Sequence, residues 1–195
     1  GGGQPVWVAL QPAATWVHRE AGTPEIYGVD DFDPSYLRDV AMTFDPGRGR
    51  AWAFGTYNGP LLVDYDGRDW HPHPGLSPSP SERYGQAMTF DRAQSVAVLF
   101  GGRGPTGTAL CDTWEWTSRA WGRKAACTTN DGTTGPPTRS DAALVYDPLL
   151  RRTLLFSGRG ATSTSLLTDA WSWDGTSWTA LPVQGNHVVP PRAGG

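Results

Sequence analysis

One order of landmarks recurs three times in this chain and limits what it can fold into. The fullest copy covers residues 81–121. It runs through an arginine (Arg83), a small and apolar strand ending in an acid (Ala87-Met88-Thr89-Phe90-Asp91), a β-rich run stopping at a double glycine (residues 96–102), an aromatic strand (Asp112-Thr113-Trp114-Glu115-Trp116) and a closing Trp121. Ahead of it stand Arg38, Ala41-Met42-Thr43-Phe44-Asp45, Ala51-Trp52-Ala53-Phe54-Gly55, Leu62-Val63-Asp64-Tyr65 and Trp70. Behind it stand Arg139, Ala143-Leu144-Val145-Tyr146-Asp147, Leu154-Leu155-Phe156-Ser157-Gly158, Asp169-Ala170-Trp171-Ser172-Trp173 and Trp178. The strand-ending acids Asp45, Asp91 and Asp147 are 46 and 56 residues apart, and Phe54, Phe100 and Phe156 keep the same two steps. A period of about 50 residues with four strand signals in each is the mark of a propeller blade.

The order of arginine, small-apolar strand, Phe-Gly-Gly, aromatic strand and tryptophan resembles the kelch repeat of the galactose-oxidase-like propeller superfamily. The likeness spans nearly the whole chain. The diglycine is complete only at Gly101-Gly102; Ser157-Gly158 and Gly55-Thr56 each keep one glycine. The resemblance implies an all-β, kelch-type propeller or propeller fragment with four-stranded antiparallel blades. It implies little about activity, because one fold of this kind hosts unrelated functions.

On this reading residues 1–20 form a half blade, 36–73, 81–127 and 138–181 form full blades, and 188–195 start a further repeat, all within one propeller domain. Arg38, Arg83, Arg139 and Arg192 each precede a first strand. They are expected either to fork onto carbonyls or an acid of the neighbouring blade, or to ring the channel mouth and hold an anion. The aspartates that end the first strands read as turn caps: Asp opens the turn, Pro or another turn residue follows, and Gly supplies positive φ. The tryptophans at i and i+2, Trp114/Trp116 and Trp171/Trp173, point to one side of a strand and are expected to fill the space between blades. The acidic link with Asp30, Asp31 and Asp33 reads as a solvated loop.

Composition narrows the function classes. The 195 residues include 25 Gly, 17 Pro and 10 Trp, with almost no helical periodicity, which points to strands and turns. Net charge is −3 without a basic run, which argues against phosphate-driven nucleic-acid binding. No apolar run approaches the roughly 20 residues of a membrane helix. The chain begins Gly1-Gly2-Gly3, with no initiator Met or leader, and reads as a mature or excised piece. A hairpin turn at Ser118-Arg119-Ala120 sets Cys111 opposite Cys127. Cross-strand Cβ atoms are then about 4.5–5.5 Å apart, close enough for a disulfide; the pair reads either as that bridge, which implies a secreted or extracellular protein, or as two free buried thiols.

No constellation for catalysis emerges. His18, His71, His73 and His187 lie in no nucleophile motif, and His71 and His73, with a proline between them, show no third metal ligand. Neither cofactor nor metal is expected. The function expected is a non-catalytic binding or scaffold module whose blade-connecting loops meet a protein or glycan ligand. The candidate contacts are Tyr57 and Asn58, Arg103 and Thr106, and Arg159 and Thr162, in loops that vary while the strands repeat. The alternative is the non-catalytic propeller portion of a larger secreted enzyme of oxidase or glycosidase type. A second chain or further blades are expected to cover open sheet edges.

Overall fold

The computed structural model describes residues 37–126, 134–162 and 164–182, and among them there is no helix. Twelve strands form three four-stranded antiparallel sheets. The first blade is β1 (Arg38–Asp45), β2 (Arg50–Thr56), β3 (Pro60–Tyr65) and β4 (Trp70–His73). The second is β5 (Ala87–Asp91), β6 (Val96–Arg103), β7 (Ala109–Trp116) and β8 (Trp121–Ala125). The third is β9 (Ala143–Asp147), β10 (Arg152–Phe156), β11 (Ala170–Trp173) and β12 (Trp178–Leu181). Each blade is a meander in chain order, and β5 stands between β1 and β9. Consecutive blades thus gather their first strands at one edge, as blades do around a propeller axis. The half blade expected at 1–20, the acidic link and the repeat start at 188–195 with Arg192 lie outside the described residues.

The strand ends follow from local chemistry. Asp45 Oδ1 accepts the N–H groups of Gly47 and Arg48, Asp91 Oδ1 those of Ala93 and Gln94, and Asp147 Oδ1 those of Leu149 and Leu150, all at 2.8–3.1 Å. Each carboxylate satisfies two donors that the ladder cannot reach, which fixes the turn between the first and second strands. Asp66 and Asp174 do the same at the outer hairpins of the first and third blades.

The core lies between blades rather than within them. Along β6 the side chains alternate, and both faces are sealed. Ala97 and Leu99 belong to a cluster with Ala41, Trp52, Phe54 and Leu62 of the first blade. Val96, Val98 and Phe100 belong to a cluster with Leu155, Trp171, Trp173 and Trp178 of the third. The contact repeats in detail. Phe54 meets Trp121 edge-on at 5.6 Å, and Phe100 meets Trp178 edge-on at 5.3 Å. A phenylalanine of one blade therefore caps the closing tryptophan of the next, in the edge-to-face geometry that aromatic quadrupoles favour.

Among the described residues, the same rows of the outer blades are less fully covered. Met88 and Phe90 on β5 are buried against the first blade, whereas their counterparts on β1, Met42 and Phe44, are 52% and 55% exposed. Val98 and Phe100 are sealed, whereas their counterparts Leu154 and Phe156 on β10 are only half-buried.

Truncating the repeated contact tests this architecture. Trp178→Ala, and separately Trp121→Ala, is expected to cost about 3–5 kcal/mol of unfolding free energy. Trp70→Ala, at a half-buried position, is expected to cost distinctly less, as read by denaturant titration.

Candidate functional site

The repeated arginines form the best-defined polar sites, and they are internal. Arg83 is 2% exposed and Arg139 0%. Arg83 Nη1 and Nη2 fork onto the Asp112 carboxylate at 2.7 and 2.9 Å, and Nη1 also donates to Gly101 O at 3.0 Å. Arg139 forks onto Asp169 at 2.7 Å through both nitrogens and donates to Ser157 O at 3.0 Å. Each carboxylate also accepts the indole N–H two residues on, from Trp114 or Trp171, at 2.6 Å. These guanidinium groups are buried and held by their own blade, not by an acid of the neighbouring one.

The neighbouring blade is engaged by the main chain instead. Arg139 N donates to Leu110 O, and Gly102 N donates to Arg139 O, both at 2.9 Å. This close approach explains the double glycine. A Cβ on Gly101 would lie 2.6 Å from Arg139 O, and one on Gly102 would lie 2.9 Å from Tyr84 O, with both residues at positive φ. In the third blade Ser157 takes the first of these positions at φ 53°.

Arg38 departs from expectation. The left-handed residue two places after the buried arginine is Gly85 in the second blade and Asp141 in the third; in the first it is Asp39. The counterpart of Arg83 and Arg139 is therefore Leu37, and Arg38 itself is exposed. The acid is replaced as well. Leu62 pairs with Phe54 as Thr113 pairs with Phe100, so Leu61 occupies the place of Asp112. Leu37 packs on a buried cluster of Ala53, Leu61 and Val63. The first blade has exchanged an ion pair for an apolar contact, a trade that costs little when both partners change together.

The loop residues divide. Arg103, expected to meet a ligand, is buried. Its guanidinium donates to Ser140 Oγ, Gly107 O, Gly160 O and Ala161 O at 2.6–3.2 Å, fastening the β6–β7 loop beneath the loop after β10. Arg159 is half-buried, with Nε 3.7 Å from Asp141 Oδ2. Thr106 and Thr162 stay exposed, and their hydroxyls lie 3.1 and 3.4 Å from those of Thr108 and Thr164. Tyr57 and Asn58 line a cleft of about 350 Å³ together with Pro60, His73, Pro74 and Ser79, among others. Cys111 is buried in β7, and Cys127 lies outside the described residues.

His73, which lines this cleft, has a polar partner that its own sequence neighbourhood does not show. His73 Nε2 is 2.7 Å from Asp64 Oδ1, and Asp64 Oδ2 is paired with Arg50. Burial pushes the Asp64 carboxyl up, but its bonds to His73 and Arg50 and their charges outweigh this and hold it below the usual range. His71 bonds a different carboxylate, Asp66. Asp64 lies opposite His71 in the ladder, so His73 reaches it along the diagonal. Only the register reveals that pairing.

Taken together, these features define a chain of stacked four-stranded antiparallel blades, a fragment of a β-propeller. No family model matches the sequence, and no curated protein does. Among solved structures, that of YjhT is similar, with a TM-score of 0.54 and 14% identity over 77% of this chain and 47% of YjhT. At that identity the likeness shows the fold alone, and the chain spans about half the length of YjhT.

The buried pairs yield two expectations. Arg83→Leu alone strands Asp112 and is expected to cost about 3–5 kcal/mol, whereas Arg83→Leu with Asp112→Leu should recover most of that loss. About 1 kcal/mol should remain missing, because the Trp114 N–H loses its acceptor. Burial raises the Asp112 and Asp169 pKa values, but the bonds and charges of Arg83 and Arg139 more than offset this and leave both below the ordinary range. A depressed folded-state pKa gives stability that is present above the unfolded value, about 3.9, and lost as pH falls below it. Wild type should therefore weaken on acidification below about pH 4, and the double-leucine variant should weaken less, in denaturant titrations across pH.

Proposed function

We propose that this chain is a kelch-type propeller portion acting as a non-catalytic binding or scaffold module for a protein or glycan ligand. One observation supports this most directly: strands, turn caps and inter-blade aromatics repeat, while the connections between second and third strands differ in each blade. Variable loops on a fixed frame are how recognition is ordinarily built. The exposed Thr106 and Thr162 and the cleft at Tyr57 and Asn58 are its contact residues. Arg103, Arg83 and Arg139 hold those loops and strands in place.

The half-open rows at Met42, Phe44, Leu154 and Phe156 favour a partner that covers them, either a second chain or further blades. The second reading is a non-catalytic propeller portion of a larger secreted enzyme of oxidase or glycosidase type. We place the protein outside the cell, with Cys111 joined to Cys127. The register supports this pairing: Trp116 pairs with Trp121, a bulge shifts the ladder by one, and Thr113 then faces Ala125. That last pair sums to 238, the sum that the expected Cys111–Cys127 pairing has. Among the described residues no helix is long and apolar enough to cross a membrane.

Glycan and peptide arrays probed with wild type and with Asn58→Ala, Thr106→Ala and Thr162→Ala test the binding reading. A ligand class retained by wild type and weakened in at least one variant is expected; silence on both arrays would sink it. Intact mass should rise by about 2 Da on reduction, two hydrogens for one S–S bond. An unchanged mass removes the bridge and the argument for secretion.

A further inference from the structure

We infer that the cleft on the first blade binds a neutral, hydroxyl-bearing ligand of sugar-ring size, with His73 Nδ1 accepting a ligand hydroxyl. This rests on the binding reading above and assigns its glycan arm to one site.

The tautomer follows from the partners. An ionised carboxylate only accepts hydrogen bonds, so the nitrogen 2.7 Å from Asp64 Oδ1 carries the proton. In the neutral ring the other nitrogen, Nδ1, then offers a lone pair. Among the described residues nothing bonds to it. The ring is also held in plane: Trp52 and Trp116 stand against it at 5.6 and 6.1 Å. Asp64, its side chain 2% exposed, is fixed in turn by Arg50. The acceptor is thus set before any ligand arrives, which lowers the ordering cost of binding.

The rest of the cleft suits the same ligand. Pro60, Pro72 and Pro74 give walls with restricted backbones. Asn58 and Ser79 add an amide and a hydroxyl, and Tyr57 and Leu76 add an aromatic and an aliphatic face. The volume, about 350 Å³, lies at the small end of the range for ligand sites, about 300–1,000 Å³. The formal charges behind His73, one on Asp64 and one on Arg50, cancel, so a neutral polyhydroxylated ring fits better than an ion.

The test uses the whole chain labelled with ¹⁵N, with D-glucose, D-galactose and N-acetylglucosamine as probes. Long-range imidazole spectra near pH 8 should show His73 protonated at Nε2; the opposite tautomer overturns the proposal. Titration with at least one sugar should move the His73 Nδ1 resonance. His73→Gln keeps a donor for Asp64 but places nothing at the Nδ1 position. It loses the ring contacts with Trp52 and Trp116 but should melt above His73→Asn, and it should bind the sugar about 3–10-fold more weakly than wild type, the loss of one hydrogen bond. His73→Asn keeps a polar atom near the Nδ1 position and loses the Asp64 contact; it should bind better than His73→Gln while melting lower. Shifts confined to the loops of Thr106 and Thr162, with His73 unmoved, overturn this site and leave the binding reading standing. No shift with any of the three sugars overturns the site and leaves only the protein-ligand arm.

Discussion

A single four-stranded sheet of this sequence has two apolar faces and cannot cover either of them. Everything else in the structure follows from sharing those faces. The middle blade is the clearest case: the odd-numbered and even-numbered side chains of β6 go to opposite neighbours. The edge-on pairs Phe54–Trp121 and Phe100–Trp178 mark the two seams. A blade is therefore stable only in company, as in other repeat folds where each unit leans on the next.

The two seams are not equivalent. At the second, Trp173 donates to Glu115 Oε1 at 3.0 Å and Trp178 to Thr113 Oγ1 at 2.8 Å. At the first, the counterparts of those acceptors are Asp64 and Leu62. Asp64 is shorter and is occupied by His73 and Arg50, and Leu62 has no acceptor. Accordingly the indole nitrogens of Trp116 and Trp121 are buried without partners. Such groups carry an uncompensated desolvation cost. The first blade has thus given up indole hydrogen bonds at its seam and an arginine–aspartate pair near its entry, and it has gained a histidine at the floor of a cleft. Its departures from the repeat coincide with the cleft at Tyr57, Asn58 and His73.

Much of the frame was legible in the residues. Two-residue alternation, turn-capping aspartates and recurrent Phe and Trp spacings locate strands and seams, because those features are local. The misassignment of Arg38 was also legible. Arg38 and Arg83 are 45 residues apart, whereas the flanking landmarks of the same blades are 46 apart. That single missing residue moves Leu37 into the arginine position. Two features could not be read in advance. The His73–Asp64 contact is diagonal across a hairpin and needs the register, and the burial of Arg103 depends on a loop some 57 residues further on folding over it. Side chains whose surroundings come from another blade carry no mark of it in their own neighbourhood.

The path of the chain at Arg139 has a bearing on how such proteins come apart. Its amide and carbonyl belong to the second blade's hydrogen-bond pattern, while its guanidinium belongs to the third. The unit counted along the sequence is thus not the unit of cooperativity. Excising the third repeat at its landmarks takes with it a residue whose backbone was anchored next door and leaves the Gly102 N–H of the second blade without its acceptor. Moving the second blade therefore means moving a segment that runs on to include Arg139 of its successor.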